Sequence, residues 1–338
     1  MKTLYLSDKQ EDILKAAEIL QNDGIAAIPT ETVYGLAGNA LKGSCVKKIF
    51  EAKGRPSDNP LIVHISDISQ WAPLVKAIPE NAMALAEKYW PGPLTIILPK
   101  SDIIPDEICG GLDTVAVRMP QSETARAIIN ACGFPLAAPS ANTSGKPSPT
   151  TAQHVKADLD GRVNAIVDGG ECSVGIESTV ISLAGDVPRL LRPGGITPQM
   201  LNEVLGETEI DDAVYNKLAD GAVAASPGMK YKHYSPEAKV IIIKGSFEGY
   251  KGYIEQNAGQ GDVALCFEEE VNALPLKCIT YGKRDDPSSQ AKHIFDALRQ
   301  VDKEKAKTVF ARFPEKEGIG LAVFNRLVRA AGFNIIEL

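Results

Sequence analysis

Two loops far apart in the chain carry the residue types that hold a polyanion. One reads Lys53-Gly54-Arg55-Pro56-Ser57-Asp58-Asn59-Pro60, the other Ala138-Pro139-Ser140-Ala141-Asn142-Thr143-Ser144-Gly145-Lys146-Pro147-Ser148. Ammonium and guanidinium groups neutralise phosphate charge, while hydroxyls, amides and free backbone N–H groups complete the hydrogen bonding. Each loop adjoins an apolar run of strand type, an arrangement that suits a nucleoside triphosphate. The second loop is not a P-loop. Ser140 stands where the first glycine belongs, and Pro147 follows Lys146 where a magnesium-binding hydroxyl is needed.

Other segments offer single groups. Pro29-Thr30-Glu31-Thr32-Val33-Tyr34-Gly35-Leu36 follows a buried-strand pattern. It reads either as a plain strand-to-loop turn or as a polar lip where α/β sheets bind ligands. His64 lies inside an apolar run, where a hydrogen-bonded core histidine is the commoner outcome. Arg118 ends the run Val115-Ala116-Val117 and needs a carboxylate, from a protein acid or from an amino-acid substrate. Trp90-Pro91-Gly92-Pro93 reads as a rigid turn with an aromatic anchor. Asp168-Gly169-Gly170 and Arg192-Pro193-Gly194-Gly195 read as turns, with Arg192 of use to an anion. No Ser/His/Asp or Cys/His set assembles from these segments.

The elements that must position these groups follow from periodicity. Ser7 is expected to cap a helix with Ile13, Leu14, Ala17 and Leu20 on one face, stopped by Gly24. Strands are expected over 24–29, 61–65, 95–98, 115–119, 165–167 and 178–183. Helices are expected over 44–52, 80–89, 122–132, from Thr150 or Thr151 to Leu159, and from Thr197-Pro198 to Gly206. After a weakly periodic stretch, Ala225 to Pro236 reads as a linker. A second βα rhythm then begins, with strands at 240–243, 263–266 and 334–336 and helices at 290–301 and 320–331. The class is α/β, with a smaller second domain expected to form three layers.

Composition narrows the function. The chain has 338 residues, beyond the usual single core, so two domains are expected. A net charge of -7 argues against a broad nucleic-acid-binding face but not against a local basic pocket. No apolar run is long enough to span a bilayer, and Met1 to Asp8 lacks the features of a signal peptide. Cys45, Cys109, Cys132, Cys172, Cys266 and Cys278 show no CxxC pairing, so free thiols in a cytoplasmic protein are expected. With four histidines (His64, His154, His233, His293) and no HExxH, no His-rich metal site is expected.

Taken together, the segments resemble the YrdC-like family in its long two-domain form, the threonylcarbamoyl-AMP synthases. The resemblance covers nearly the whole chain. The family's Lys-x-Arg and Ser-x-Asn signatures appear as Lys53, Arg55, Ser140 and Asn142. Residues 29–36, Asn59-Pro60-Leu61, Trp90 to Thr95 and Val117-Arg118-Met119-Pro120 match in order. The linker, with Ser226-Pro227-Gly228-Met229 and His233-Tyr234, resembles the long form. The resemblance implies an open, twisted mixed-sheet catalytic domain over 1–206, a linker or lid over 207–238, and a Rossmann-like α/β domain over 239–338. It implies the synthesis of L-threonylcarbamoyl-AMP from L-threonine, bicarbonate and ATP with release of pyrophosphate, which feeds modification of adenosine 37 of tRNA. By similarity, Thr32, His64, Arg118, Ala138 and Ser178 surround threonine. Lys53, Arg55, Asn59, Thr114, Ser140, Asn142, Ser148, Arg192 and Tyr234 hold ATP, with Lys53 and Arg55 catalytic. Magnesium is expected with the nucleotide, without a protein cage of its own. The expected protein partners are downstream threonylcarbamoyl transferase proteins, with weak or no RNA binding and no membrane.

Two other classes stay open on the residues. An RNA-binding module would need a basic face with interleaved aromatics, which is not seen. A regulatory protein binding nucleotide through its second domain is weakened by the lack of a GxGxxG there.

Overall fold

Apolar runs too short for helices, punctuated by Gly and Pro, fold as strands, and the first part of the chain joins eleven of them into one sheet. The computed structural model describes residues 1–57, 59–218, 226 and 234–338. It divides into two units. The first takes most of residues 1–218, and the second takes 234–338 with the short loops Gly145–Pro147 and Val174–Ile176. Residues 219–225 and 227–233 of the expected linker or lid lie outside the described residues, as does Asp58.

In the first unit the strands are β1 (Leu4–Ser7), β2 (Ala26–Ile28), β3 (Gly35–Asn39), β4 (Ile62–His64), β5 (Leu94–Pro99), β6 (Thr114–Arg118), β7 (Leu136–Ala137), β8 (Ala165–Asp168), β9 (Thr179–Ser182), β10 (Arg189–Arg192) and β11 (Glu209–Ile210). The helices are α1 (Gln10–Gln21), α2 (Gly43–Lys53), α3 (Glu80–Tyr89), α4 (Asp106–Cys109), α5 (Glu123–Cys132), α6 (Ala152–Leu159) and α7 (Pro198–Leu205). The sheet order is β1-β8-β2-β3-β7-β4-β6-β5-β9-β10-β11, with parallel and antiparallel pairs mixed. Successive residues of β2 alternate between two cores, as a period of two demands. Ala26 and Ile28 meet α1 and α5, while Ile25 and Ala27 meet the larger core that includes Ile49 of α2 and Leu85 of α3.

Local chemistry sets the helix ends. Ser122, Thr151 and Thr197 each accept a backbone N–H of the first turn, from Ala125, His154 and Met200, and Pro198 opens α7. Gly54 ends α2 at φ 61°, a left-handed turn that only glycine adopts without strain. The chain is thereby turned sharply at Lys53 into the loop that bears Arg55 and Asn59.

The structure corrects several expectations. Ser7 does not cap α1. It ends β1, and its N–H and hydroxyl both donate to Asp12 Oδ2, at 2.9 and 2.8 Å. Leu14 is exposed, and the buried stripe is Ile13, Ala16, Ala17 and Leu20, the helical i, i+3, i+4, i+7 set. The segment after Gly206 does not start as a linker: β11 pairs parallel with β10, so the sheet extends past residue 206.

The second unit holds β12 (Lys239–Lys244), α8 (Phe247–Asn257), β13 (Val263–Cys266), β14 (Lys277–Thr280), α9 (Pro287–Lys303), β15 (Thr308–Arg312), α10 (Gly320–Ala330) and β16 (Ile335–Glu337). Its strands run in the order β14-β13-β15-β12-β16, and every pair is parallel. Parallel neighbours require crossovers, which the helices supply. Tyr250 and Ile254 of α8 pack on Ile241 and Ile243 of β12.

Candidate active site

The parallel register of β4 and β6 sets His64 beside Arg118, both at the carboxyl ends of their strands. Sheet ends of this kind are where open α/β folds present ligand-binding groups. Arg118 is buried, and its guanidinium is aimed by three contacts. Nε donates to Gly92 O at 3.2 Å, Nη1 to Thr32 Oγ1 at 2.9 Å, and Nη2 to Glu31 Oε1 at 2.5 Å. The carboxylate that Arg118 needs is thus Glu31, a residue absent from the expected site. Glu31 is buried too, and its second oxygen accepts the N–H of Ser122 at 3.4 Å.

Thr30 shapes the loop that carries these groups. Its hydroxyl accepts the N–H groups of Thr32 and Val33 and contacts Thr32 Oγ1 at 2.9 Å. Tyr34, buried beneath, donates its hydroxyl to Gly170 O at 2.7 Å and accepts Gly169 N–H at 3.2 Å. The Asp168-Gly169-Gly170 turn is thereby tied to the Thr30–Tyr34 loop.

His64 Nδ1 lies 3.2 Å from Ile62 O. A carbonyl only accepts, so Nδ1 carries the proton and Nε2 the lone pair. Burial, then the Arg118 charge, push the imidazole pKa down to about 3; the Ile62 hydrogen bond opposes this and Arg192 adds to it. The ring is neutral. The same Ile62 carbonyl accepts Ala138 N–H at 3.1 Å, so Ala138 adjoins His64.

Ser178 lies at the start of β9, bonded to Thr95 Oγ1 at 2.7 Å. Arg192 donates through Nε to Ser178 O at 3.0 Å and through Nη2 to Ser178 Oγ at 3.1 Å. The turn after Arg192 comes so close that a Cβ on Gly194 would lie 2.4 Å from Thr179 N and 2.7 Å from Glu177 O. Beside it, Ser148 donates to the buried carboxylate of Glu177.

Lys53, at the end of α2, is buried. Its ammonium donates to Ser140 O, to Asn142 O at 2.8 Å and to Asn142 Oδ1 at 3.4 Å, while Lys53 O accepts Ser144 N–H at 2.9 Å. The two loops singled out in the sequence are therefore bonded to each other. Burial, with Arg55 adding to it, holds the Lys53 pKa well below the usual lysine range. Arg55 stacks over Phe50 at 5.9 Å. Asn59 is fully buried, and among the described residues neither its Nδ2 nor its Oδ1 has a hydrogen-bond partner.

The structure thus joins Thr32, Arg118 and Glu31 in one cluster, Ser178 and Arg192 in a second, and Lys53, Ser140 and Asn142 in a third. Thr114 opens β6, four residues before Arg118 and at the opposite strand end. Tyr234 belongs to the second unit, with φ 63° and its ring 5.1 Å from Phe295 and 5.7 Å from Arg326 Cζ. Glu31, Thr95, Glu177 and the Gly92 carbonyl were missed by sequence reasoning. The one available signal was the carboxylate that Arg118 required. Among the described residues no group of three or more His, Cys, Asp or Glu could hold a metal ion, and all six cysteines are free.

Comparisons with known proteins bear on the whole chain. Residues 18–194 match the family model described as Telomere recombination, and residues 196–332 that described as Threonylcarbamoyl-AMP synthase, C-terminal domain. The threonylcarbamoyl-AMP synthase of Pyrococcus abyssi is 47% identical over 332 residues, which are 96% of this chain and 95% of that protein. That of Bacillus subtilis is 46% identical over 336 residues, 98% and 96% of the two chains. The crystal structure of P. abyssi Sua5 complexed with L-threonine superposes over 100% of both chains with a TM-score of 0.93 and 44% identity.

Proposed function

Because this chain belongs to the threonylcarbamoyl-AMP synthase family, we propose that it condenses L-threonine, bicarbonate and ATP into L-threonylcarbamoyl-AMP and releases pyrophosphate. The observation that carries the reading is the buried Arg118 cluster. Its guanidinium has more N–H donors than its contacts to Gly92, Thr32 and Glu31 use, so it keeps donors for a substrate carboxylate. In this reading His64 offers its Nε2 lone pair and Ser178 its hydroxyl to the same substrate.

The chemistry needs no covalent nucleophile on the protein. Threonine nitrogen joins the bicarbonate carbon with loss of water. A carbamate oxygen then attacks the α-phosphorus, and the bond to the bridging oxygen of pyrophosphate breaks. The protein contributes positioning and fixed charge. Lys53 acts through the loop it holds: its donors fix Ser140 and Asn142, whose remaining groups, with Ser148, Arg192 and the amide of Asn59, face the nucleotide. Arg55 and Thr114 complete the nucleotide set, and magnesium enters as part of the nucleotide substrate. The same reading gives Tyr234 to the nucleotide, and a Tyr234→Ala chain with unaltered ATP affinity would remove it from the set. We assign catalysis to the first unit and transfer of the product onto adenosine 37 of tRNA to separate proteins, since the product is a labile acyl phosphate. No helix among the described residues is long and apolar enough to cross a membrane.

Pyrophosphate release, measured with ATP, bicarbonate and each amino acid in turn, tests the reading. Release that depends on threonine and bicarbonate is expected. Release indifferent to threonine, or none, overturns it.

A further inference from the structure

Two short pieces from the first half of the sequence belong to the second unit, Gly145–Pro147 and Val174–Ile176. Each ends just before groups of the candidate site: Ser148 follows Pro147, and Glu177 and Ser178 follow Ile176. Both pieces meet α9. Arg299, buried on that helix, donates through Nη2 to Pro147 O at 2.6 Å. Gly175, at φ 80°, comes so close to the helix backbone that a Cβ there would lie 2.4 Å from Lys292 Cα and 2.8 Å from Ala291 O. The residues that follow the two pieces are bonded to each other, since Ser148 donates to Glu177. A guanidinium is costly to bury, and α9 also buries Phe295, Leu298 and Val301. Proline has no N–H and a fixed φ, so the carbonyl is the one hydrogen-bonding handle that its backbone offers. The planar peptide group that carries this carbonyl leads directly to Ser148 Cα. Holding the oxygen therefore sets the plane from which Ser148 leaves the backbone.

Resting on the nucleotide reading above, we propose that Arg299 is a positioning residue for ATP, acting through Ser148. By fixing the peptide plane between Pro147 and Ser148 it holds Ser148 where the nucleotide meets it. The close seat of Gly175 on the same helix holds the chain that leads to Glu177, the acceptor of the Ser148 hydroxyl. Helix α9 thus steadies both ends of one hydrogen bond. A guanidinium suits the task, because a charge-assisted bond to a carbonyl is stronger than a neutral one, and stronger again where burial lowers the local dielectric. A misplacement of about 1 Å at a substrate-positioning group can cost about 100-fold, so a tether remote from the chemistry is felt in nucleotide affinity.

The test is a double-mutant cycle in the full chain, with ATP and L-threonine as separate probes in calorimetry. Arg299→Met keeps an unbranched apolar stem and removes the donors. It should lower ATP affinity about 10-fold and leave threonine affinity within about 2-fold. Ser148→Ala should lower ATP affinity by a similar factor. Because Arg299 acts through Ser148, the double variant should bind ATP within about 2-fold of the weaker single variant. Independent losses that multiply to about 100-fold overturn the proposal. So does an Arg299→Met chain that loses both ligands equally, which is what general loosening of the fold would give. If Arg299→Met does not fold, Arg299→Lys, which keeps a charged donor without the planar fork, takes its place in the cycle with the same outcomes. Loss of ATP affinity in Ser148→Ala but not in the Arg299 variant sinks the Arg299 role alone. A wild type that binds neither ATP nor threonine sinks the substrate reading as well.

Discussion

Replacing Asn59 by leucine should make the ligand-free protein more stable and the enzyme worse. The side chain is fully buried, with both polar atoms unpartnered among the described residues. An unmet buried polar group costs about 1–3 kcal/mol. Leucine has similar bulk and no such requirement, so relief of even one of the two groups raises stability by that amount. For a unit of this size, each 1 kcal/mol moves Tm by about 2–4 °C, giving a rise of order 5 °C. Nucleotide should report the opposite. At about 100 times its Kd, ATP stabilises a protein by about 2.7 kcal/mol. If the amide contacts ATP and its loss weakens binding about 100-fold, the same ATP concentration contributes only about 0.4 kcal/mol. Thermal melts of both proteins, with and without ATP, therefore give a variant that melts higher alone and gains little from ATP. A variant that melts lower alone, or gains as much from ATP as the wild type, refutes the reasoning: the amide would then be a structural group satisfied in the free protein.

Lysine at position 118 keeps the charge but cannot reach Gly92 O, Thr32 and Glu31 at once; calorimetry should show threonine affinity falling about 30- to 150-fold with ATP affinity nearly kept, and unchanged threonine affinity would make Arg118 structural. His64 is neutral when folded, with a pKa of about 3, and titrates near 6.5 when unfolded. Between those values the unfolded chain binds the extra proton, so the residue's contribution is lost as pH falls, at about 1.4 kcal/mol per unit. Urea unfolding from pH 6.5 to 4.5 should be steeper in pH for the wild type than for His64→Gln, and equal slopes would contradict the buried neutral ring. Gly194→Ala puts a methyl group 2.4 Å from Thr179 N and 2.7 Å from Ser178 C. Backbone must yield, costing about 1–3 kcal/mol and displacing Ser178, so Tm and threonine affinity should fall together; a wild-type Tm would show that the turn has room.

The groups legible in the sequence were those whose chemistry conflicts with their surroundings. Arg118 at the end of an apolar strand demanded a partner, and Lys53 and Asn142, in loops far apart in the chain, proved to be bonded to each other. Caps also announced themselves, as in Thr197-Pro198. What stayed hidden was of two kinds. Glu31 looks like any acid in a polar loop, because its partners, Arg118 and the Ser122 N–H, lie some ninety residues away in the chain. Gly92 contributes a backbone carbonyl, which leaves no trace in side-chain identity. The strand Gly35-Leu36-Ala37-Gly38-Asn39 is buried at every position, so it has no alternation to read, and its glycines argue against a strand. Glycine is needed there: a Cβ at Gly35 would lie 3.1 Å from the Ala138 Cβ.

The edge strand at the start of the chain has a consequence for how the protein is made. β1 has β8 as its neighbour in the sheet, Leu4 opposite Ala165, and β8 also stands between β1 and β2. Once β1 has left the ribosome it therefore waits for a partner some 160 residues later, about 8–32 s at synthesis rates of about 5–20 residues per second. Until then α1 lacks part of the surface its apolar stripe covers, and β2 keeps one open edge. Loop closure over such separations slows folding and leaves strand edges exposed to other chains. The nascent first unit is thus the stage at which aggregation competes with folding, and a variant that weakens β8 should lower the soluble yield more than it lowers the stability of the finished protein.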